Sequence, residues 1–197
     1  MRFLFSRPLW FALARLPFRK TGRKRPALPA APVLGQSALC HVPAGRRTMD
    51  YMGCEMLALY NALHFSGRDV PLESIIHTYE RRRWLLLGGH WGADPYAAGR
   101  YLKEQQIRCR TFATPRAYSD FADALHQEEN RVFILSFWLG DTVFSGAHAV
   151  TLVRRGGQLW GYNLFNRQAE PIPVPELSCL CYADRFIVGY ALPSGSH

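Results

Sequence analysis

Residues 148–164 read HAVTLVRRGGQLWGYNL. Two runs rich in β-branched and aromatic residues flank a glycine pair, which predicts a hairpin: His148 to Val153, a turn over Arg154, Arg155, Gly156 and Gly157, then Gln158 to Leu164. With a four-residue turn, Val153 faces Gln158 and His148 lies opposite Asn163, side chains on one face. A two-residue turn shifts the exact partner but keeps the shared face. Upstream, the apolar run Val132 to Leu139 reads as a central strand. Ile107 to Phe112 and Phe186 to Ala191 read as further strands.

The preceding half is helical. Cys54 to Phe65 carries Met56, Leu57, Leu59, Tyr60 and Leu63 at three- and four-residue steps and stops at Gly67, the pattern of a buried helix. Pro71 opens a second helix whose stripe is Leu72, Ile75, Ile76 and Tyr79. Arg81, Arg82 and Arg83 close it where cations suit the helix dipole. After a Gly88 to Gly92 loop, Asp94 and Pro95 start a helix over Tyr96 to Gln105, and Tyr118 to Glu129 forms another. Helices first and an antiparallel sheet afterwards predict an α+β fold.

The chain of 197 residues carries a net charge of +9, but the charge is not spread evenly. Residues 1–49 hold 10 Lys and Arg and no acid, so the rest is close to neutral. Six of the 13 prolines also fall before residue 48. Residues 1–47 therefore read as a basic, Pro-rich, largely disordered arm, and 48–197 as the folded domain. Aromatic residues among the arginines suit an anionic membrane surface as a partner for the arm; nucleic acid is not expected. The apolar run Pro8 to Ala14 is too short to span a bilayer. Five scattered cysteines do not make a disulfide framework, and a cytoplasmic protein, with membrane association through the arm, is expected.

Cys54 falls at a helix start, where orphan N–H groups favour a thiolate and so predict a depressed thiol pKa. A nucleophilic thiol needs a base. His64, ten residues along the same helix, is about 15 Å away. His77 and His126 sit in helical patterns, which leaves His148, at the start of a strand, with Asn163 to orient it. Asn166 is the weaker alternative orienter. Each residue also has a plain structural reading: a buried thiol, a strand histidine, a strand-end asparagine.

Gly53-Cys54-Glu55-Met56-Leu57-Ala58-Leu59 opening a helix, Gly92-Ala93-Asp94-Pro95 before another, Gly146-Ala147-His148-Ala149-Val150 and Gly161-Tyr162-Asn163 together resemble the papain-like cysteine peptidases. The spacings of 94 residues from Cys to His and 15 from His to Asn are most similar to the compact bacterial peptidases that remove double-glycine leaders. The resemblance covers about Thr48 to Leu192. It implies a papain-like fold, N-terminal helices with the nucleophile at a helix start on an antiparallel sheet. It also implies hydrolysis of a peptide or amide bond through Cys54 as nucleophile, His148 as base and acid, and Asn163 as orienter. The family places an oxyanion Gln about six residues before the Cys; Thr48 stands there, and Gln36 is too far upstream to be the obvious substitute. His90, Trp91 and Trp138 are candidates for the substrate cleft. A peptide or protein substrate is implied, and no cofactor.

Two other readings stay open: an inactive papain-like module that binds a peptide or protein, and an acyl or amide transferase using the same thiol. Cys179 and Cys181, on an extended segment, share a face but are too closely spaced for a zinc chelate, and no metal site is expected.

Overall fold

The structure, a computed structural model, describes residues 28–113, 116–127, 130–141 and 145–193. It is mixed α+β. A short 3-10 turn, Gln36–Leu39, precedes two two-residue strands, β1 (Pro43–Ala44) and β2 (Arg47–Thr48). The helices α1 (Met49–Met52), α2 (Cys54–Phe65), α3 (Leu72–Arg82) and α4 (Ala97–Glu104) follow, then β3 (Arg110–Phe112) and α5 (Ala117–Ala124). The chain finishes with β4 (Asn130–Trp138), β5 (Ala147–Arg155), β6 (Gln158–Tyr162), β7 (Ile172–Pro173) and β8 (Phe186–Pro193). Among the described residues β3 to β8 form one antiparallel sheet in the order β3-β8-β4-β5-β6-β7.

The helix α2 is buried on every side, from Glu55 through Leu63, because it runs between the other helices and the sheet. It is tied to β5 where the Thr151 hydroxyl donates to the Ala58 carbonyl at 2.9 Å. The strand β4 shows why its sequence is an unbroken apolar run. Val132 and Ile134 join the core under α2 and α3, while Phe133, Leu135 and Phe137 join a second core with Phe121 of α5 and Leu177. Ser136 interrupts the run and is 1% exposed.

Residues 28–47 correct the expected boundary. Val33, Leu39, Val42 and Ala44 are core residues, so the folded body begins well before Thr48. Burial of these four side chains overrides the proline density that marks the segment as an arm. Residues 1–27, with the basic cluster expected to meet a membrane surface, lie outside the described residues. Among the described residues no helix is long and apolar enough to cross a membrane.

The hairpin register also differs. Arg155 pairs with Gln158 across a two-residue turn at Gly156 and Gly157, both with positive φ (59° and 79°), the geometry that two glycines adopt without strain. β6 stops at Tyr162, and Asn163 leaves the sheet.

Candidate active site

Gly53 precedes α2, and Cys54 is its first residue. Cys54 and His148 line one cavity of about 290 Å³, together with Glu55, Ser136 and the expected cleft residues His90, Trp91 and Trp138. Asn163 and Thr48 are not part of its lining. The Cys54 thiol donates to the Ala147 carbonyl at 4.0 Å rather than to the imidazole of His148, and sulfur and ring are brought together by the cavity that they share.

The thiol itself departs from expectation. Burial, reinforced by the charge of Glu55, pushes the Cys54 pKa up to about 12, and the backbone N–H groups of Ala149, Glu55 and Cys54 offset only part of this. A helix start lowers a thiol pKa when a cation stands by the sulfur; here the side chain is only partly exposed at the cavity wall, and among the described residues no cation acts on it. At rest Cys54 is a neutral thiol.

His148 is 8% exposed, at the start of β5. Its Nε2 lies 2.6 Å from the Asn163 carbonyl oxygen, and a carbonyl only accepts, so Nε2 carries the hydrogen and Nδ1 keeps the lone pair. Phe137 meets the ring edge-on with centroids 6.0 Å apart. Burial lowers the His148 pKa, and the bond to Asn163 raises it in part. The ring is a neutral base with its tautomer fixed.

Asn163 does orient His148, but through its backbone rather than the expected amide. Its φ of 61° is the left-handed conformation that asparagine tolerates better than most residues, and it leaves the carbonyl facing the imidazole. The side chain faces away. Asn163 Oδ1 accepts the Gln36 N–H at 3.0 Å, while Nδ2 donates to Gln36 Oε1 at 3.4 Å and to the Ala149 carbonyl at 3.3 Å. The backbone N–H of Asn163 donates to the Leu34 carbonyl at 2.7 Å. A strap over residues 34–36 therefore holds the turn that holds the histidine. Replacing Asn163 with glycine keeps the left-handed φ but removes three side-chain bonds, an expected loss of about 1–3 kcal/mol. Alanine loses the same bonds and about 1 kcal/mol more through strain. Urea unfolding of the two variants separates the contributions.

Thr48 stands in the extended position before α1, without a side-chain cap bond, and supplies no donor to the cavity. Gln36, set aside on sequence distance, is the buried amide near this end of α1. Its Nε2 donates to the Asp50 carbonyl, so it acts on the strap and on Asn163 rather than on the cavity. The backbone N–H groups that act on the sulfur are those of Ala149 in β5 and of Glu55 and Cys54 at the start of α2. At the rim, Arg47 donates to His90 Nδ1 at 3.0–3.2 Å and lies over the Tyr51 ring at 4.9 Å.

Glu55 is the residue that sequence reading passes over. It is 2% exposed, and its carboxyl accepts from the Ser136 hydroxyl at 2.9 Å and the Ala98 N–H at 3.4 Å. Burial pushes its pKa up to about 8. Ser136 and Ala98 pull against that shift, the charge of Asp94 adds to it, and Arg100 opposes it. The only sequence signal is a carboxylate inside an apolar helix, next to the candidate nucleophile.

A scan against protein-family models finds no match to this chain, and a search of curated proteins finds none. The chemistry therefore rests on the site alone. Among the described residues no three His, Cys, Asp or Glu side chains are grouped to hold a metal ion. Cys179 and Cys181 lie at the end of a 3-10 turn, not on an extended segment. Cys179 is exposed and Cys181 buried, so the expected shared face is absent.

Proposed function

We propose that the chain is a papain-like cysteine hydrolase that cleaves a peptide or amide bond through an acyl-enzyme, with Cys54 as nucleophile and His148 as base. The observation that carries this reading is a thiol at a helix start and a tautomer-fixed imidazole lining one cavity, with the lone pair of the imidazole on Nδ1. As the sulfur attacks the substrate carbonyl, Nδ1 takes the thiol proton, and N–H groups at the start of α2 receive the oxyanion. The imidazolium then protonates the departing amine. In the second half Nδ1 takes a proton from water, the hydroxyl oxygen attacks the acyl carbon, and the sulfur leaves as the thiol. Because the resting thiol is neutral, proton transfer accompanies attack and depends on the substrate bringing sulfur and ring together. A peptide or protein segment laid across Trp91 and Trp138 is the substrate class that this cleft suits.

Alkylation with iodoacetamide, followed by mass spectrometry of the modified peptide, tests the assignment. Because the neutral imidazole in the same cavity can take the thiol proton as the sulfur attacks, Cys54 is expected to be modified faster than half-buried Cys109, which has no such base assigned to it, and Cys54→Ala to lose both that modification and all turnover. The neutral thiol and its contact with Ala147 favour one alternative, a peptide-binding module in the same cleft. Cys54 reacting no faster than Cys109 selects that module.

A further inference from the structure

The carboxyl of Glu55 is enclosed by several elements at once. Cys54 precedes it on α2, Ser136 of β4 and the Ala98 N–H of α4 bond to it, and His148 of β5 shares its cavity. Tyr79 of α3 and Tyr190 of β8 also interact with it. The one cation in this group, Arg100, is bound to Asp94 at 2.5 Å, and Asp94 is 0% exposed. A carboxylate at Glu55 would therefore sit in low dielectric with two neutral donors and no cation of its own, a costly arrangement. A neutral acid fits the same place, because a hydroxyl such as Ser136 both donates and accepts and keeps the contact when Glu55 is protonated.

We propose that Glu55 is a positioning residue and charge gate for Cys54: as a neutral acid it pins the start of α2 to β4 and α4, and on ionising it places a negative charge beside the sulfur that silences the thiol. The proton leaves to water through the cavity, which Glu55 itself lines. The gate rests on the reading of Cys54 as the nucleophile. It raises the cost of ionising the thiol as the solution becomes basic, a penalty that an isolated cysteine does not meet.

The test is the rate of Cys54 alkylation by iodoacetamide in the full chain, wild type and Glu55→Gln, from about pH 6 to about pH 9. The amide keeps an acceptor for Ser136 but cannot ionise. The ratio of variant to wild-type rate is expected to lie near one at the acid end and to rise about tenfold at the basic end. Ser136→Ala provides the opposing test. It removes a bond that favours the carboxylate, so suppression should begin at higher pH than in wild type. If Glu55→Gln does not fold, Ser136→Ala carries the test, and a suppression onset unchanged from wild type overturns the gate. A rate ratio independent of pH, with Cys54 still labelled, overturns the gate and leaves the nucleophile standing. Absence of Cys54 labelling in every protein at every pH overturns the nucleophile reading and the gate with it.

Discussion

Replacing His148 with alanine is expected to lower turnover of a peptide or amide substrate by about 10²–10⁴-fold, the range for losing a positioned general base. The loss should fall on kcat, because the proposed proton transfer to the ring takes place only as the bond is attacked. The pH dependence follows from the geometry. Burial holds the imidazole below its usual pKa, so the base is already neutral in mildly acidic solution and the rising limb of kcat/KM should lie below the ordinary histidine value of about 6.5. On the basic side the Glu55 gate sets a falling limb near pH 8. A bell between these limits is the expected profile, and in Glu55→Gln the falling limb should disappear. Stability changes in step. Below the ordinary imidazole value the unfolded chain takes up a proton that folded His148 resists, so stability is lost as pH falls. Between about 4.5 and about 8 the folded chain holds a proton on Glu55 that the unfolded chain has lost, so this group lowers stability as pH rises.

The second large effect is structural. Arg100→Ala is expected to cost about 3–5 kcal/mol, because it leaves the carboxylate of Asp94 buried with no cation. Asp94 Oδ1 also accepts the Tyr96 N–H at 2.9 Å, so the pair organises the turn that enters α4. Asp94→Asn should cost less, since an amide oxygen can keep that bond. Arg100 also lies over the Trp84 ring at 5.0 Å, and urea unfolding followed by tryptophan fluorescence compares the two variants. Equal destabilisation by the two variants would show that loss of the ion pair, which both remove, governs the site, rather than an unpaired carboxylate or the packing of the Arg100 side chain.

The elements that the sequence discloses most fully are those whose signals are local. α2 spans Cys54–Phe65, as its apolar spacing and Gly67 predict, and β4 follows its apolar run to within two residues at its start and one at its end. The hairpin adopts the two-residue turn at Gly156-Gly157 rather than the four-residue one, and the shift of register moves the exact partner of His148 away from Asn163. The bond from Gln36 to Asn163 joins residues 127 apart, and no periodicity announces it. The role of Asn163 stays hidden for a different reason. The sequence points to its side chain, while its carbonyl does the orienting, and any residue has a carbonyl. The identity of the residue matters because asparagine accepts the left-handed turn and answers the strap. The raised thiol and the raised acid depend first on burial, and then on neighbours such as Ala149, Ser136, Ala98, Asp94 and Arg100, which the fold brings to Cys54 and Glu55 from separate elements.

The strap has a consequence for the life of the chain during synthesis. Leu34 and Gln36 leave the ribosome early, whereas Asn163, the residue they hold, is made only after 126 others have followed Gln36. Cys54 and its helix are thus finished long before the turn that fixes the tautomer of His148 exists. A nascent polypeptide carries the nucleophile without its base. The proposed hydrolase becomes competent only when nearly the whole described body has emerged, so its own unfinished chain and its neighbours on the polysome are spared.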